Sequence, residues 1–597
     1  MKKNIHFTEV FFYMAERVPD HQFDRWMRSA QKFEEEWRKS NQQNFEYMDG
    51  EQWSERERYA IESRGQQATV INTVLPTVDM VCAVASQQQA DIQVIGRENS
   101  DENMATLLTA LLKHVLDNCH YDYQEKTAIR ESYVGGRSWF EVGIISDERG
   151  KDLIKVDHVP WENVYLDPFS RKPDASDARF IIKNKWLDRD VVKSLFPEAE
   201  QMIDSVFEDD YHGQEYEAQI NSTGRSEFYW DAKSNRVRVC ECYYKRPEKV
   251  KVKILNEDTG KEQTREVIKD VLHYVIFADE VILQGSATDH KLNKPELDID
   301  AYPLIPMYCR RDRKGRPAGI VRNLVDLQDQ INKLLSKFTW TLMSNRLIVE
   351  DGASNDIERV REEYQRPDGV VQLNEGGLNK IRVDDKYRDL SYMSNHLNFL
   401  LMTEQRISGV NDSMLGLGGT NERSGVMQST RISQGASMQT VMLENMFYAR
   451  ECVARVILKL IGRYYTDYRI MQITQPNGER VNYEFNRKQQ VIDPQTGEVQ
   501  ERILYKIENI LYYDVILKRV APFTNLKERQ MQIFAEVLKT GTLPAEIAGK
   551  IMLELSDLPD KQDLIMQLQD IQGQQQQIAA MQAQAQMTAA EQGVSPA

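Results

Sequence analysis

Apolar residues recur every three or four positions beyond Pro317, a spacing that predicts one long helix. The helix is expected to run from Gly319 to Asn345, and at 1.5 Å per residue it would be about 40 Å long. Charged residues, among them Lys333 and Lys337, occupy the face opposite the apolar seam. The seam consists of Ile320, Leu324, Leu327, Ile331, Leu334, Phe338 and Leu342.

Two further helices are expected downstream of this one. The second should end at Gly409, because glycine commonly follows the last turn of a helix. Between the first two helices, residues 346–386 predict loops, a small helix and two or three strands. Residues 411–421 (NDSMLGLGGTN) are rich in glycine and predict a flexible loop. The third helix is expected over residues 422–468, with a candidate kink at Gly435.

The rest of the chain mixes helical and strand patterns. Helical spacing covers residues 20–38 and 101–133, whereas strand-like alternation dominates residues 151–283 and 470–520. Residues 525–597 predict helices that lead into a Gln- and Ala-rich tail, which either packs its heptad-like apolar positions against a partner or stays disordered. The fold class predicted from this order is α+β. Turn-forming residues predict hairpins at 167–168, 256–260, 278–280, 475–478 and 493–497.

The length, charge and cysteine content of the chain exclude several classes of protein. The chain has 597 residues, enough for about four domains. Its 28% charged residues and mean hydropathy of -0.58 exclude a multispanning membrane protein and a wholly disordered one. A formal charge of -16 argues against tight, sequence-independent binding of nucleic acid, which requires a surplus of cations. The six cysteines are too few and too scattered for a disulfide scaffold, so free thiols in a reducing compartment are expected.

The sequence lacks the motifs that carry common catalytic chemistry. The Gly-Lys pairs, at Gly150, Gly260 and Gly549, are not followed by Ser or Thr, so no phosphate-binding loop of the Walker A type is predicted. No His-Glu-x-x-His zinc motif occurs either. Cys240 and Cys242 lie on one face of a predicted strand and are interpreted as buried structural residues rather than metal ligands. We therefore predict no catalytic residue, no metal site and no cofactor, and no segment that enters a bilayer.

A series of short motifs, in a fixed order, resembles the portal proteins of tailed double-stranded DNA bacteriophages, most closely the short-tailed-phage type. The resemblance covers most of the chain, although Ala83 to Ala85 stand where relatives often have glycine. Its strongest stretch is Gly319 to Lys333, which resembles the first stem helix of the family. The other motifs are Tyr47, Gly50, Gln52-Trp53, Arg56, Arg64-Gly65, Val70-Ile71-Asn72, Pro76, Gln87-Gln88-Gln89, Asp91-Ile92, Gly135 to Val142, Val164 to Pro168, Asp177-Ala178-Arg179, Arg423-Ser424-Gly425, Arg431 and Gln434-Gly435.

The resemblance implies a portal fold with an α/β wing, a long-helix stem, a small α/β clip and a helical C-terminal crown. It also implies a homo-oligomeric, dodecameric ring at one capsid vertex of the virion, assembled in the host cytoplasm. The ring would form the channel through which double-stranded DNA is packaged and ejected. The implied regions are an N-terminal wing at 1–318, a first stem helix at 319–345, the clip at 346–386, a second stem helix at 387–409, a tunnel loop at 410–422, a long kinked helix at 423–468, a β-rich wing return at 469–524 and a crown at 525–597.

The same resemblance assigns roles to particular residues. The tunnel loop would face DNA, with a plain connector between helices as the alternative, and the stem cations would meet phosphates or pair with acids of a neighbouring subunit. The implied channel residues are Ser413, Met414, Leu415, Gly416, Leu417, Gly418, Gly419, Thr420, Asn421, Lys333 and Lys337. The clip would dock other components through Asp351, Arg359, Arg361, Tyr364 and Arg366.

The implied partners follow from this position in the virion. They are weakly and non-specifically bound double-stranded DNA, the terminase large subunit, the major capsid and scaffolding proteins, and a tail or head-completion adaptor. A different ring-forming adaptor of the virion is the main alternative. A packaging nuclease or ATPase is a second alternative, and the missing Walker A motif argues against the ATPase.

Overall fold

The computed structural model describes the larger part of the chain. The residues described are 18–87, 90–96, 102–146, 150, 152–201, 229–231, 234–255, 262–279, 281–285, 299–343, 347–366, 368–383, 387–410, 414, 439–465, 469–474, 480–485, 487–492, 499–504 and 513–519.

The described residues contain ten α-helices. They are α1 (His21–Asp49), α2 (Glu55–Glu62), α3 (Val74–Gln87), α4 (Glu102–Asn118), α5 (Tyr121–Gly135), α6 (Arg189–Leu195), α7 (Val325–Met343), α8 (Ile357–Gln365), α9 (Tyr387–Ser408) and α10 (Thr440–Tyr464). Short 3₁₀ helices occur at Trp161–Asn163, Pro197–Ala199, Val321–Asn323 and Gly377–Lys380.

The strands occur mostly in runs between groups of these helices, which agrees with the predicted α+β class. They are β1 (Ala90–Gly96), β2 (Arg137–Ser146), β3 (Asp152–Val159), β4 (Val164–Leu166), β5 (Phe180–Asp188), β6 (Trp230–Asp231), β7 (Arg236–Leu255), β8 (Glu262–Ala278), β9 (Val281–Gly285), β10 (Leu304–Tyr308), β11 (Arg310–Arg311), β12 (Pro317–Ala318), β13 (Leu347–Val349), β14 (Ile381–Val383), β15 (Arg469–Thr474), β16 (Arg480–Phe485), β17 (Arg487–Ile492), β18 (Val499–Leu504) and β19 (Tyr513–Arg519).

The largest sheet has six strands in the order β4-β5-β7-β8-β9, with β6 also paired to β7. A three-stranded sheet has the order β10-β2-β3. The strand pairs whose register is resolved in these two sheets are antiparallel, with Cys242 opposite Ile182 on β5 and Val275 on β8, for example. Sequence-adjacent strands β7 and β8, β8 and β9, β15 and β16, and β17 and β18 pair as the turn signals predict.

Two compact units divide the chain. The larger comprises Met1–Ser86, Ile92–Tyr468 and Phe485–Leu517. The smaller comprises Gln87–Asp91, Arg469–Glu484 and Lys518–Ala597, and among its described residues β15 and β16 form a hairpin.

Helix α1 covers one face of the six-stranded sheet in the larger unit. Phe23, Met27 and Ala30 recur at spacings of four and three, so they share one helix face, and all three are fully buried. They pack with Phe180 of β5 and with Tyr244, Cys240, Cys242 and Phe277 of β7 and β8. The sequence prediction of buried structural cysteines on one face of a strand is confirmed, and all six cysteines of the chain are free.

A buried ion pair attaches helix α10 to helix α5. Arg450 donates from Nε to Glu125 Oε1 at 2.8 Å and from Nη2 to Glu125 Oε2, which makes the contact bidentate. Burial alone would lower the pKa of Arg450, but the nearby Glu125 carboxylate outweighs this effect and raises it. Burial raises the pKa of the partner Glu125 as well, despite the opposing effect of Arg450. The bidentate contact fixes the position of one helix on the other.

Two predicted helix boundaries are wrong. The segment 101–133 contains two helices, because His120 lies in the left-handed region at φ 49° and separates α4 from α5. The predicted helix 20–38 continues to Asp49 and ends where Gly50 takes φ 91°. Periodicity alone did not reveal either boundary.

The predicted helix from Gly319 to Asn345 begins later than expected. The α-helix starts at Val325, and Val321–Asn323 form a 3₁₀ turn before it. The backbone at this start is held against the end of α5, since the Ile320 amide donates to Tyr133 O at 2.7 Å. Gly319 lies so close to α5 that an added Cβ would stand 2.0 Å from Val134 O. The chain therefore meets α5 before it can enter the helix.

The second predicted helix ends at Ser408 and is followed by Gly409 at φ 74°, as expected. Of the third, the structure describes α10, whereas Gly435 lies outside the described residues. The predicted helices of residues 525–597 also lie outside them.

Candidate functional site

Helices α7 and α9 pack against each other, and residues 347–383 are inserted between them. The inward face of α7 coincides only in part with the apolar seam that the sequence predicts, since Ile331 of that seam is buried together with polar residues. Its buried residues are Gln328, Ile331, Asn332 and Ser336, whereas Leu342 is 59% exposed. Three of the four buried residues are polar, so each needs a hydrogen-bonding partner.

That partner is the irregular segment Thr69–Thr73, which precedes α3. The amides of Thr69, Ile71 and Thr73 donate to the side chains of Ser336, Asn332 and Gln328 at 3.0, 3.3 and 3.3 Å respectively. Alternate residues of an extended chain are about 6.6 Å apart, and four residues of a helix rise about 6 Å, so the two spacings match. We call Gln328, Asn332, Ser336 and Thr69–Thr73 the α7 polar cluster.

The α7 polar cluster extends to the end of α1. Asn332 Nδ2 donates to Gln52 Oε1 at 2.6 Å, and Gln52 Nε2 donates to Tyr47 O at 2.8 Å. Asn72 Nδ2 donates to Met48 O at 2.7 Å. The residues that resemble portal proteins near the start of the chain therefore converge with α7 at one place.

Lys333 does not stand free on the outer face of α7. Its Nζ lies 3.1 Å from Glu57 Oε1 and 3.5 Å from Asp329 Oδ2, both in the same chain. Tyr47 OH donates to the other oxygen of Asp329. Lys333 thus pairs with acids of its own chain, and its contact with phosphates or with a neighbouring subunit's acids stays a prediction. Lys337 is exposed, and no described acid pairs with it.

These contacts shift the titration of the groups involved. The hydrogen bond to Ser54 and the contact with Lys333 lower the pKa of Glu57. The hydrogen bond to Glu57 raises the pKa of Lys333. Both groups are therefore charged at neutral pH, and they connect α2 to α7.

Replacing Asn332 by leucine should lower the free energy of unfolding by about 2 to 3 kcal/mol. The change leaves the part-buried Ile71 amide without its acceptor and the buried Gln52 Oε1 without its donor, each at a cost of about 1 kcal/mol or more. Urea denaturation followed by tryptophan fluorescence measures the effect. The matched control is Gln330→Leu on the exposed face of α7, expected to change stability by less than about 0.5 kcal/mol. Equal losses in both variants would contradict a role for the cluster.

Helix α9 has one buried face and one apolar exposed face. Leu400, Glu404 and Ser408 are buried at spacings of four. Thr77 of α3 donates to the buried Glu404 carboxyl at 3.4 Å, and burial raises the pKa of this group. On the outer side, Tyr392, Phe399 and Met402 are about 60% exposed. Their spacings of seven and three place them on one stripe of the helix.

The insertion between the two helices is a small α/β unit, as predicted. Strands β13 and β14 pair antiparallel at its base, with Leu347 opposite Val383, and α8 lies between them in sequence. Of the predicted clip residues, Tyr364 is half-buried, and Arg366 lies 3.6 Å from Glu363. Asp351, Arg359, Arg361 and Arg366 are exposed. The insertion also exposes the apolar side chains of Ile348, Ile357, Val370 and Leu378.

Most of the predicted tunnel loop lies outside the described residues, including Ser413, Leu415, Gly416, Leu417, Gly418, Gly419, Thr420 and Asn421. Met414 is described and is 7% exposed, so its side chain is buried in this subunit.

Within the described ranges, no three His, Cys, Asp or Glu side chains are placed to hold a metal ion. None of the described helices combines the length and apolarity that crossing a bilayer requires. What the described residues do offer is a helix pair with an uncovered apolar stripe and a small unit at the end of that pair.

Comparison with known protein families gives one result. A family model described as "Phage P22-like portal protein" matches residues 24–596. No curated protein matches the chain.

Proposed function

Because the chain belongs to the family of phage P22-like portal proteins, we propose that α7 and α9 form its stem and that copies of this helix pair surround a channel for double-stranded DNA. The protein is a phage portal protein, a head-to-tail connector of the virion that serves genome packaging. The family is structural rather than enzymatic, and it implies a homo-oligomeric ring at a capsid vertex that interacts with capsid and terminase.

The observation that carries the stem proposal is the apolar stripe of Tyr392, Phe399 and Met402 on α9. A helix that already buries one face in its own subunit needs a second partner to cover a second apolar face. In a homo-oligomeric ring that partner is a neighbouring copy of the chain. The stripe on α9 therefore forms part of the contact between adjacent stems.

The proposed ring is dodecameric. Twelve helices of about 10 Å diameter, placed side by side, enclose an opening of roughly 28 Å, which is wide enough for a DNA duplex. The net charge of -16 suits a conduit, since many phosphate contacts would retard DNA movement and make it depend steeply on salt. Residues 410–422 form the tunnel loop in this proposal, and Lys333 and Lys337 are the stem cations proposed to face DNA.

The finer regions follow the family resemblance. Residues 1–318 and 469–524 form the wing, and 525–597 form the crown. The clip at 346–386 docks the terminase large subunit during packaging and a tail or head-completion adaptor afterwards. Its exposed side chains Ile348, Ile357, Val370 and Leu378 provide apolar area for these contacts. The ring assembles in the host cytoplasm together with capsid and scaffolding proteins.

The double variant Phe399→Glu with Met402→Glu should fail to form rings. Two carboxylates in the stripe would be buried between adjacent stems without a cation, which opposes association. Mass photometry, with and without scaffolding protein, compares the particle mass of the variant with that of the wild type. The control is Ser394→Glu with Asn398→Glu, which adds the same charge at exposed polar positions of α9.

The control should assemble as the wild type does. A wild-type chain that stays monomeric even with scaffolding protein would contradict the ring. A ring that tolerates both carboxylates in the stripe would contradict the proposed stem contact but leave the ring itself intact.

A further inference from the structure

Two loops of the larger unit carry a dense group of cations outside the helix pair α7 and α9. The hairpin of β11 and β12, residues 310–318, contains five cations and one acid, Asp312. The loop between β4 and β5, residues 167–179, lies against it and adds three cations and three acids, so the two loops together carry eight cations and four acids. We call residues 167–179 and 310–318 the basic loop pair, and every residue of both loops is described.

Hydrogen bonds to main-chain oxygens hold the two loops together. Arg311 donates from Nη1 to Arg171 O at 2.7 Å and from Nη2 to Ser170 O at 3.2 Å. In return, Arg171 Nη1 donates to Lys314 O at 2.8 Å. These guanidinium groups are bound to neutral carbonyls, so their charge is not cancelled by an acid. The loops therefore form one fixed surface with an excess of positive charge.

The four acids of the loops all accept hydrogen bonds from within the loops, and Asp174 does so from the Ser176 amide at 3.1 Å. Asp167 accepts two hydrogen bonds from the Arg179 side chain, at 2.8 and 2.9 Å. Asp312 accepts from the amides of Lys314 and Arg316 and lies 3.4 Å from the Arg316 guanidinium. Asp177 accepts from the Arg171 and Lys172 amides and from Ser170.

Four cations of the basic loop pair are exposed and are not paired with any of these acids. Lys172, Arg310, Arg313 and Lys314 are exposed, and within the described ranges no acid pairs with their side chains. Large apolar side chains are scarce here, because Phe169 is the one such residue of the two loops that is strongly exposed. Protein interfaces usually have an apolar core that is poor in lysine, whereas phosphate backbones are bound by clustered Arg and Lys.

From this arrangement we infer that the basic loop pair binds the phosphate backbone of double-stranded DNA, through residues other than those proposed for the channel. The preference for phosphate rests on the loops themselves, and the choice of duplex DNA rests on the portal function. The net charge of -16 does not oppose it, since binding depends on the local potential and screening limits the reach of distant acids to about 8 to 10 Å. The contact carries no sequence information, because it is made to phosphates.

The test measures, by fluorescence anisotropy, how tightly a labelled 30-base-pair duplex binds to the full-length assembled protein. The measurement is repeated at KCl concentrations between 50 and 200 mM. The triple variant Arg310→Gln, Arg313→Gln and Lys314→Gln should bind about tenfold or more weakly at 50 mM. The slope of log association constant against log salt concentration should be less steep than that of the wild type by about 2 to 3. Each lost phosphate contact removes about 0.9 from this slope. Arg56→Gln, Arg58→Gln and Arg64→Gln make a matched control, since they remove the same charge from exposed positions in and just after α2, where acids are interspersed.

The control should bind as the wild type does. Equal binding by all three proteins would overturn the inference. A variant that keeps its DNA affinity but changes particle mass would instead assign the basic loop pair to contact with a neighbouring copy. Displacement of the duplex by polyglutamate at a lower monomer concentration than by unlabelled DNA would assign it to an acidic protein. Failure of the ring itself is recognised separately, from the particle mass of the wild type.

Discussion

Replacing Gly319 by alanine should lower the free energy of unfolding by about 3 kcal/mol or more. A Cβ at this position would stand 2.0 Å from Val134 O and 2.8 Å from Tyr133 O, both in the backbone at the end of α5. Backbone atoms cannot turn aside as a side chain can, so either α5 or the start of α7 has to move. The Ile320 amide would then lose its bond to Tyr133 O.

Urea denaturation at a fixed protein concentration measures this loss. Gly143→Ala is the matched control, because Gly143 in β2 has nothing within 4 Å of an added Cβ. The control should change stability by less than about 1 kcal/mol. If Gly319→Ala were as stable as the control, the close approach of α7 to α5 would be refuted.

Arg450→Met should lower the free energy of unfolding by about 3 to 5 kcal/mol at pH 7. The change leaves the carboxylate of Glu125, which is 6% exposed, buried without its cation. Arg455→Met is the control on the same helix, since Arg455 pairs with Glu451 near the surface and should contribute less than about 1 kcal/mol. Adding Glu125→Gln to Arg450→Met should restore part of the loss.

The stability difference between the Arg450→Met variant and the wild type should depend on pH in a definite direction. Burial raises the folded-state pKa of Glu125 above its ordinary value of 4.5 even beside Arg450, and the variant removes the cation that counteracts this rise. A group of this kind takes up a proton more readily in the folded state, so the penalty is full at neutral pH and decreases as the pH falls toward 4.5. Denaturation of the variant and the wild type at pH 7 and pH 5 should show the difference between them shrinking at pH 5. A difference independent of pH would mean that lost packing, not the unpaired carboxylate, causes the effect.

The sequence predicts α9 and the small insertion well, because local signals determine both. Gly409 marks the end of α9, and the antiparallel pair β13 and β14 has the expected place in a unit with one helix. The buried cysteines of β7 also follow from simple alternation along a strand. In each case the residues that decide the structure are near one another in sequence.

The buried face of α7 was not predictable in this way. Hydrophobic spacing selects Leu342, which is 59% exposed, and passes over Gln328 and Asn332, which are 1% exposed. These amides are buried because a segment more than 250 residues earlier in the chain supplies their hydrogen-bonding partners. Polar residues recurring every fourth position, at Gln328, Asn332 and Ser336, were the available signal. The motif Gly319 to Lys333, which resembles the portal family, includes Gln328 and Asn332, but the resemblance alone does not say why these amides are buried.

The pairing of Lys333 with Glu57 is a second contact that spacing cannot reveal. Helix α2 is distant in sequence from α7, so only the three-dimensional structure brings the two charges together. The roles of the clip residues and of the tunnel loop stay predictions, since they depend on molecules other than this chain.

The antiparallel pairing of β13 with β14 also has an evolutionary meaning. Since Leu347 and Val383 lie opposite each other, the chain leaves and re-enters the helix pair at neighbouring points. Everything between these points can grow, shrink or be exchanged without changing the distance between the two flanking helices. Under the proposed function, replacing the residues between these points would change the surface that docks other components and would leave the paired helices α7 and α9 unchanged.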